Sequence, residues 1–109
     1  MEEKALYEFY VAGVQFHDLS ACINDIKVDD ILALRTEPTN RFDPNAVRIE
    51  LNLDDHSIML GYIPAKGEGL SAKVSAKLEM DPLICKVLEV NPGAKTWEQL
   101  KVGIFNLED

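Results

Sequence analysis

The run Ala46-Val47-Arg48-Ile49-Glu50-Leu51-Asn52-Leu53-Asp54-Asp55-His56-Ser57-Ile58-Met59-Leu60-Gly61-Tyr62-Ile63-Pro64 decides the fold class of this chain. From Ala46 to Leu53 it alternates strictly. Val47, Ile49, Leu51 and Leu53 fall on one face and Arg48, Glu50 and Asn52 on the other, the pattern of a half-buried strand. Asp54-Asp55-His56 supplies a hairpin-type turn. Ser57 to Ile63 then forms a partner strand that stops at Pro64, which has no N–H to give to a ladder.

Working outward, the residues before this hairpin form a loop and two further strands. Thr39-Asn40-Arg41-Phe42-Asp43-Pro44-Asn45 is dense in residues whose short polar side chains bond their own backbone, with Phe42 as the exception. Upstream of it, Asp30 to Thr36 reads as a strand halted at Glu37-Pro38. Leu6 to Phe16 is rich in aromatic and β-branched types and reads as the first strand, with Gly13 marking a bulge or a close approach. His17 to Ser20 is turn-like, and Ala21 to Val28 lacks a clean period, which predicts an irregular or one-turn segment.

Downstream, the period changes. Leu70, Val74 and Leu78 recur at four-residue steps beside Lys73 and Lys77, which predicts an amphipathic helix over Ala65 to Met80. Gly67 and Gly69 weaken its first turn and Asp81-Pro82 ends it. Leu83 to Val90, the turn Asn91-Pro92-Gly93, and Trp97 to Asn106 complete the chain as a fifth and a sixth strand. The expected order is β-β-β-β-α-β-β. Six antiparallel strands on this length leave long unpaired edges unless the sheet closes, so the expectation is mainly β with one α-helix, arranged as a small six-stranded barrel.

Composition bounds what such a domain can do. The 109 residues, 47% hydrophobic and 28% charged, suit one folded domain over residues 1–109 that buries about two-thirds of its unfolded surface. Its longest apolar runs are too short to span a bilayer, and the acidic start Met1-Glu2-Glu3-Lys4 lacks the basic and apolar regions of a secretory signal. A cytoplasmic protein with no membrane partner is expected. Cys22 and Cys85 sit among apolar neighbours, as buried free thiols do. The formal charge of −8 disfavours sequence-blind attraction to a phosphate backbone, so any nucleic-acid contact must be local, near Arg35, Arg41 and Arg48.

The residues of a self-contained enzyme are not in evidence. His17, His56, Cys22 and Cys85 are not at the paired spacing of small zinc modules, and Asp54-Asp55 reads as a solvated turn. There is no G-x-S-x-G elbow, and Gly67-Glu68-Gly69 lacks the lysine of a phosphate loop. No cofactor is expected, and catalysis would need a pair assembled in space, such as Asp43 with His17. Binding features are richer. Phe42, flanked by Asn40, Arg41 and Asp43, is either a ring on which a base stacks or a loop side chain tucked back onto the barrel. Phe16-His17 is a second aromatic pair, and Tyr62 is either a barrel residue with its hydroxyl at the rim or a stacking platform.

Glu37-Pro38-Thr39-Asn40-Arg41-Phe42-Asp43-Pro44-Asn45-Ala46-Val47 resembles the signature of the HIRAN domain. Val11-Ala12-Gly13-Val14-Gln15-Phe16, Leu32-Ala33-Leu34-Arg35 and Leu60-Gly61-Tyr62-Ile63-Pro64 are similar to its flanking strands, so the resemblance covers about residues 8 to 90. It implies a modified OB-like barrel that binds DNA, found fused to helicases in eukaryotes and standing alone in bacteria or phage. The best-understood members capture the 3′-OH end of single-stranded DNA during fork remodelling. Carried onto this chain, the resemblance implies that Asp43 accepts a hydrogen bond from the terminal hydroxyl, Phe42 packs on the terminal nucleotide and Asn40 contacts phosphate or base. Phe16, His17 and Tyr62 would line the pocket, with Arg41 and Lys66 as phosphate contacts. The chain departs from the family in having Gln15 before Phe16 and Ala65 ahead of Lys66.

The reading is therefore a non-catalytic module for single-stranded DNA 3′ ends in replication or repair, with replication or repair proteins as further partners. The alternative is a protein-interaction domain that keeps the barrel and presents an acidic surface or strand edge instead of binding DNA.

Overall fold

A computed structural model describes residues 4–65 and 69–107 of the protein. Six strands, β1 (Tyr7–Tyr10), β2 (Ile31–Thr36), β3 (Val47–Asn52), β4 (Ser57–Tyr62), β5 (Leu83–Val90) and β6 (Leu100–Asn106), form an antiparallel sheet in the order β1-β6-β5-β2-β3-β4. A single helical turn, α1 (Leu19–Cys22), lies between β1 and β2, and the longer α2 (Leu70–Met80) between β4 and β5. This is the mainly β, OB-like architecture expected for the chain.

The sheet curls into a half-barrel whose two ends touch at one point. Just past β1, Ala12 bridges Tyr62 at the end of β4, with backbone hydrogen bonds of 2.9 and 2.8 Å running in the two directions. One isolated bridge thereby joins the two ends of the sheet, which is otherwise a half-barrel. Gly61 permits the approach: a Cβ there would overlap the Ala12 carbonyl oxygen and stand 2.7 Å from Val11 Cγ1. Inside, Val47, Ile49, Leu60, Val87, Val102 and Ile104 are all 0% exposed and belong to one apolar cluster, which α2 joins through Leu70 and Val74.

Several elements differ from the sequence expectation. The first strand stops at Tyr10 and not at Phe16, because Gly13 adopts a left-handed φ of 71° and starts a 3-10 turn over Val14–Phe16. α2 begins at Leu70 after the left-handed Gly69, φ 69°, and not at Ala65, which lies outside the helix; residues 66–68 of the expected first turn are not among the described residues. The sixth strand begins at Leu100, because Thr96–Glu98 forms a 3-10 turn that carries Trp97. The hairpin also contains a bulge: Gly61 pairs with Ile49 and Met59 with Glu50, leaving Leu60 as an extra residue. Glu50, expected on the solvent face, is buried at 4% exposure beneath Arg35 and Arg48.

Cys22 and Cys85 are free and buried as expected. Burial pushes the Cys85 thiol up to about 12, and burial followed by the nearby Asp25 and Asp18 raises that of Cys22. Among the described residues no helix is long and apolar enough to cross a membrane.

The closure can be tested at Gly61. Gly61→Ala forces a methyl group into the Ala12 carbonyl and is expected to cost about 3 kcal/mol, at the upper end for overpacking. Gly93→Ala, whose new Cβ would meet nothing closer than Asn91 Oδ1 at 3.8 Å, is expected to change stability by under about 1 kcal/mol. Urea denaturation of both variants checks the difference.

Candidate functional site

The loop between β2 and β3 is held in shape by its own polar side chains. Asn40 Oδ1 accepts the N–H groups of Phe42 and Asp43 at 2.8 and 2.9 Å, and Asp43 Oδ1 accepts that of Asn45 at 2.9 Å. These are the local side-chain bonds that favour Asn and Asp in turns. At the loop's base, Glu37 N–H donates to the Ala46 carbonyl at 2.9 Å. The other carboxylate oxygen of Asp43 accepts a 2.7 Å hydrogen bond from Ser71 Oγ, buried in the first turn of α2. The loop is thus tied to the helix as well as to the strands.

With its backbone fixed in this way, the loop leaves the Phe42 side chain 97% exposed. The ring is not tucked onto the barrel. It lines a cleft of about 370 Å³ together with Asn40, Asp43, Gly13, Tyr62 and Pro64. The barrel seam and the loop therefore share one concavity: Gly13 and Tyr62 come from the closure, Phe42 and Asp43 from the turn. Each Asp43 oxygen has one protein donor, which leaves further acceptor capacity on both.

Behind the cleft lies a charge network centred on Glu37. Its Oε1 accepts the Tyr62 hydroxyl at 2.9 Å and Asn40 Nδ2 at 2.8 Å, and its Oε2 is 3.5 Å from an Arg48 guanidinium nitrogen. The Asn40 hydrogen bond, with help from Tyr62, Arg48 and His17, holds the Glu37 carboxyl below its ordinary value against the opposing effect of burial. Burial, and then the bond to Glu37, raises the phenol of Tyr62.

Of the residues singled out from sequence, Asn40, Phe42, Asp43 and Tyr62 come together in the cleft. His17 stands behind Tyr62, edge to face, with ring centroids 5.7 Å apart. Phe16 is 79% exposed in the 3-10 turn that follows Gly13 and does not line the cleft. Arg41 is exposed on the loop, and Lys66 lies outside the described residues. Sequence reasoning overlooked Glu37, Ser71 and Gly13 as parts of the site. The available signal for Glu37 was an acidic side chain three positions before a turn-forming Asn; it was read only as the end of a strand.

The family model of the HIRAN domain matches residues 4–101. Among solved structures, a crystal structure of a protein from Lactobacillus plantarum is 21% identical, covering 99% of this chain and 98% of its own, with a TM-score of 0.75. The crystal structure of the HIRAN domain of human HLTF is 14% identical, covering 94% of this chain and 76% of its own, with a TM-score of 0.63. At these identities the two structures establish a shared fold. No curated protein sequence matches the chain.

The Glu37 network carries a pH signature of known sign. A carboxyl held below its ordinary value of 4.5 contributes stability that is complete above that value and is lost as the pH falls through its lowered one. A phenol raised above 10.0 contributes stability that is complete below that value and is lost as the pH rises through the raised one. Urea denaturation between about pH 6 and pH 3 is expected to show a smaller acid loss for Glu37→Gln than for the wild type. Tyr62→Phe is expected to flatten the alkaline limb above about pH 10.

Proposed function

The chain belongs to the HIRAN domain family, and we propose that it acts as one non-catalytic domain that captures the 3′-OH end of single-stranded DNA in its cleft. Members of the family are in general DNA-binding modules. The observation that carries the finer reading is the pairing of a bare aromatic ring, Phe42 at 97% exposure, with the adjacent Asp43 carboxylate in one cleft.

The chemistry of those two groups suits a strand end. A base stacks on an exposed ring whatever its identity, at about 1–3 kcal/mol per base. A carboxylate only accepts hydrogen bonds, so it favours a hydroxyl and repels a phosphate. Asp43 therefore selects a strand that terminates in 3′-OH over one that ends in phosphate. Tyr62 walls the cleft from the seam side, Asn40 shapes the loop, and His17 backs Tyr62. Arg41 and Lys66 are assigned to phosphates farther along the strand, and Phe16 to a neighbouring nucleotide. With an overall charge of −8, affinity comes from the pocket and not from a broad basic surface. The same reading includes a role in replication or repair in the cytoplasm, beside other proteins of those processes.

Fluorescence anisotropy with labelled oligonucleotides ending in 3′-OH or 3′-phosphate tests this reading. The wild type is expected to prefer 3′-OH. Phe42→Ala is expected to weaken binding by about tenfold or more, and Asp43→Ala to remove the preference between ends. The log-log salt slope is expected near about −1.5 to −2, from about 0.7 per neutralised phosphate. Equal binding to both ends would overturn end capture, and no binding to either at low salt would also favour a protein ligand for this barrel.

A further inference from the structure

We propose that Glu37 is the positioning residue of the cleft and that buried Glu50 anchors it through Arg48. The proposal rests on the end-capture reading only for its effect on DNA affinity. Its effect on the loop stands apart from any ligand.

The chain of contacts begins at its least accessible point. Glu50 is 4% exposed, with Oε2 3.0 Å from one terminal nitrogen of Arg48 and Oε1 3.3 Å from Arg35 Nε. A buried carboxylate needs such partners, because an unpaired charge away from water is costly. Oε1 makes no hydrogen bond of good geometry, so Arg48 is the stronger of its two partners. Arg48 is itself held from two more directions: its Nε donates to Met59 Sδ at 3.2 Å, and its second terminal nitrogen faces Glu37 Oε2 at 3.5 Å. A planar guanidinium engaged on three sides has little freedom to turn, and this places the Glu37 carboxylate.

Glu37 does not line the cleft, yet it joins both of its walls. One carboxylate oxygen receives Tyr62 from the barrel seam and Asn40 from the loop. The amide orientation that points Asn40 Nδ2 at Glu37 turns Asn40 Oδ1 toward the Phe42 and Asp43 N–H groups. The setting of the two ligand-facing residues thus traces back to a carboxylate one step behind them. The same bonds occupy Asn40 Oδ1 twice and one Nδ2 hydrogen, leaving a single N–H for a ligand. Asn40 shapes the turn first and contacts nucleic acid second.

The test combines amide hydrogen exchange by NMR with oligonucleotide binding for the wild type, Glu37→Ala and Glu37→Gln. Gln keeps an oxygen that can accept from both Asn40 and Tyr62 but sets an amide NH2 against Arg48, so it loses the anchoring contact alone, whereas Ala loses all three. Glu37→Ala is expected to speed exchange at the Phe42 and Asp43 amides by about tenfold while the β5–β6 amides hold their wild-type rates, and Gln to restore protection to within about threefold. Affinity for a 3′-OH oligonucleotide is expected to follow the same order. Unchanged protection at Phe42 and Asp43 in Glu37→Ala would overturn the proposal, whatever the DNA does. So would faster exchange throughout the sheet, which would mark general destabilisation, or a Gln variant no better than Ala. If no variant, nor the wild type, binds the oligonucleotide but the amides respond as expected, the positioning role stands and end capture falls.

Discussion

The two edges of the sheet meet at one reciprocal pair of backbone hydrogen bonds, between Ala12 and Tyr62, and most of what is distinctive in the molecule is arranged around that contact. A six-stranded sheet of short strands can hide its edges only by curling, and curling this far brings a backbone carbonyl to where a side chain would ordinarily stand. Gly61 removes the obstacle. The Leu60 bulge immediately before it adds the local twist that turns β4 toward β1 and sends Leu60 into the core. On the other side of the seam, Gly13 ends the extended backbone with a left-handed turn.

The same seam makes the cleft. Tyr62 uses its backbone to close the barrel and its hydroxyl to reach Glu37, so a residue of the scaffold is also a wall of the site. The opposite wall is a turn that would be floppy if it were only a connection. It is instead laced by Asn40, tied by Glu37 and bonded through Asp43 to Ser71. An aromatic ring left bare to water gives up the stabilisation that burial would supply. It is tolerated where the backbone beneath it is fixed by polar bonds that do not depend on the ring being buried.

Much of the fold was legible because its boundaries are chemical. β5 runs from Leu83 to Val90 as expected, between Pro82 and Asn91-Pro92, and β4 halts before Pro64. Where no such punctuation exists, local preference and tertiary structure part company. The aromatic and β-branched run through Phe16 looks extended, but closure at Ala12 and the turn at Gly13 take its end out of the sheet. Alternation puts Glu50 on the polar face, and it is on that face; what alternation could not tell is that two arginines fold over and bury it. Within the site, Phe42, Asp43, Asn40 and Tyr62 were readable as residue types in a turn and at a strand end. The exposure of Phe42 and the role of Glu37 were not, because both depend on contacts between segments far apart in sequence, such as Glu37 with Tyr62.

The bond from Ser71 to Asp43 has a consequence that concerns the helix more than the loop. It links the first turn of α2 to a carboxylate whose remaining lone pairs face the cleft, and coupling of this kind is reciprocal. The wall of the cleft and the start of α2 thus share one hydrogen bond, and neither can shift far without breaking it.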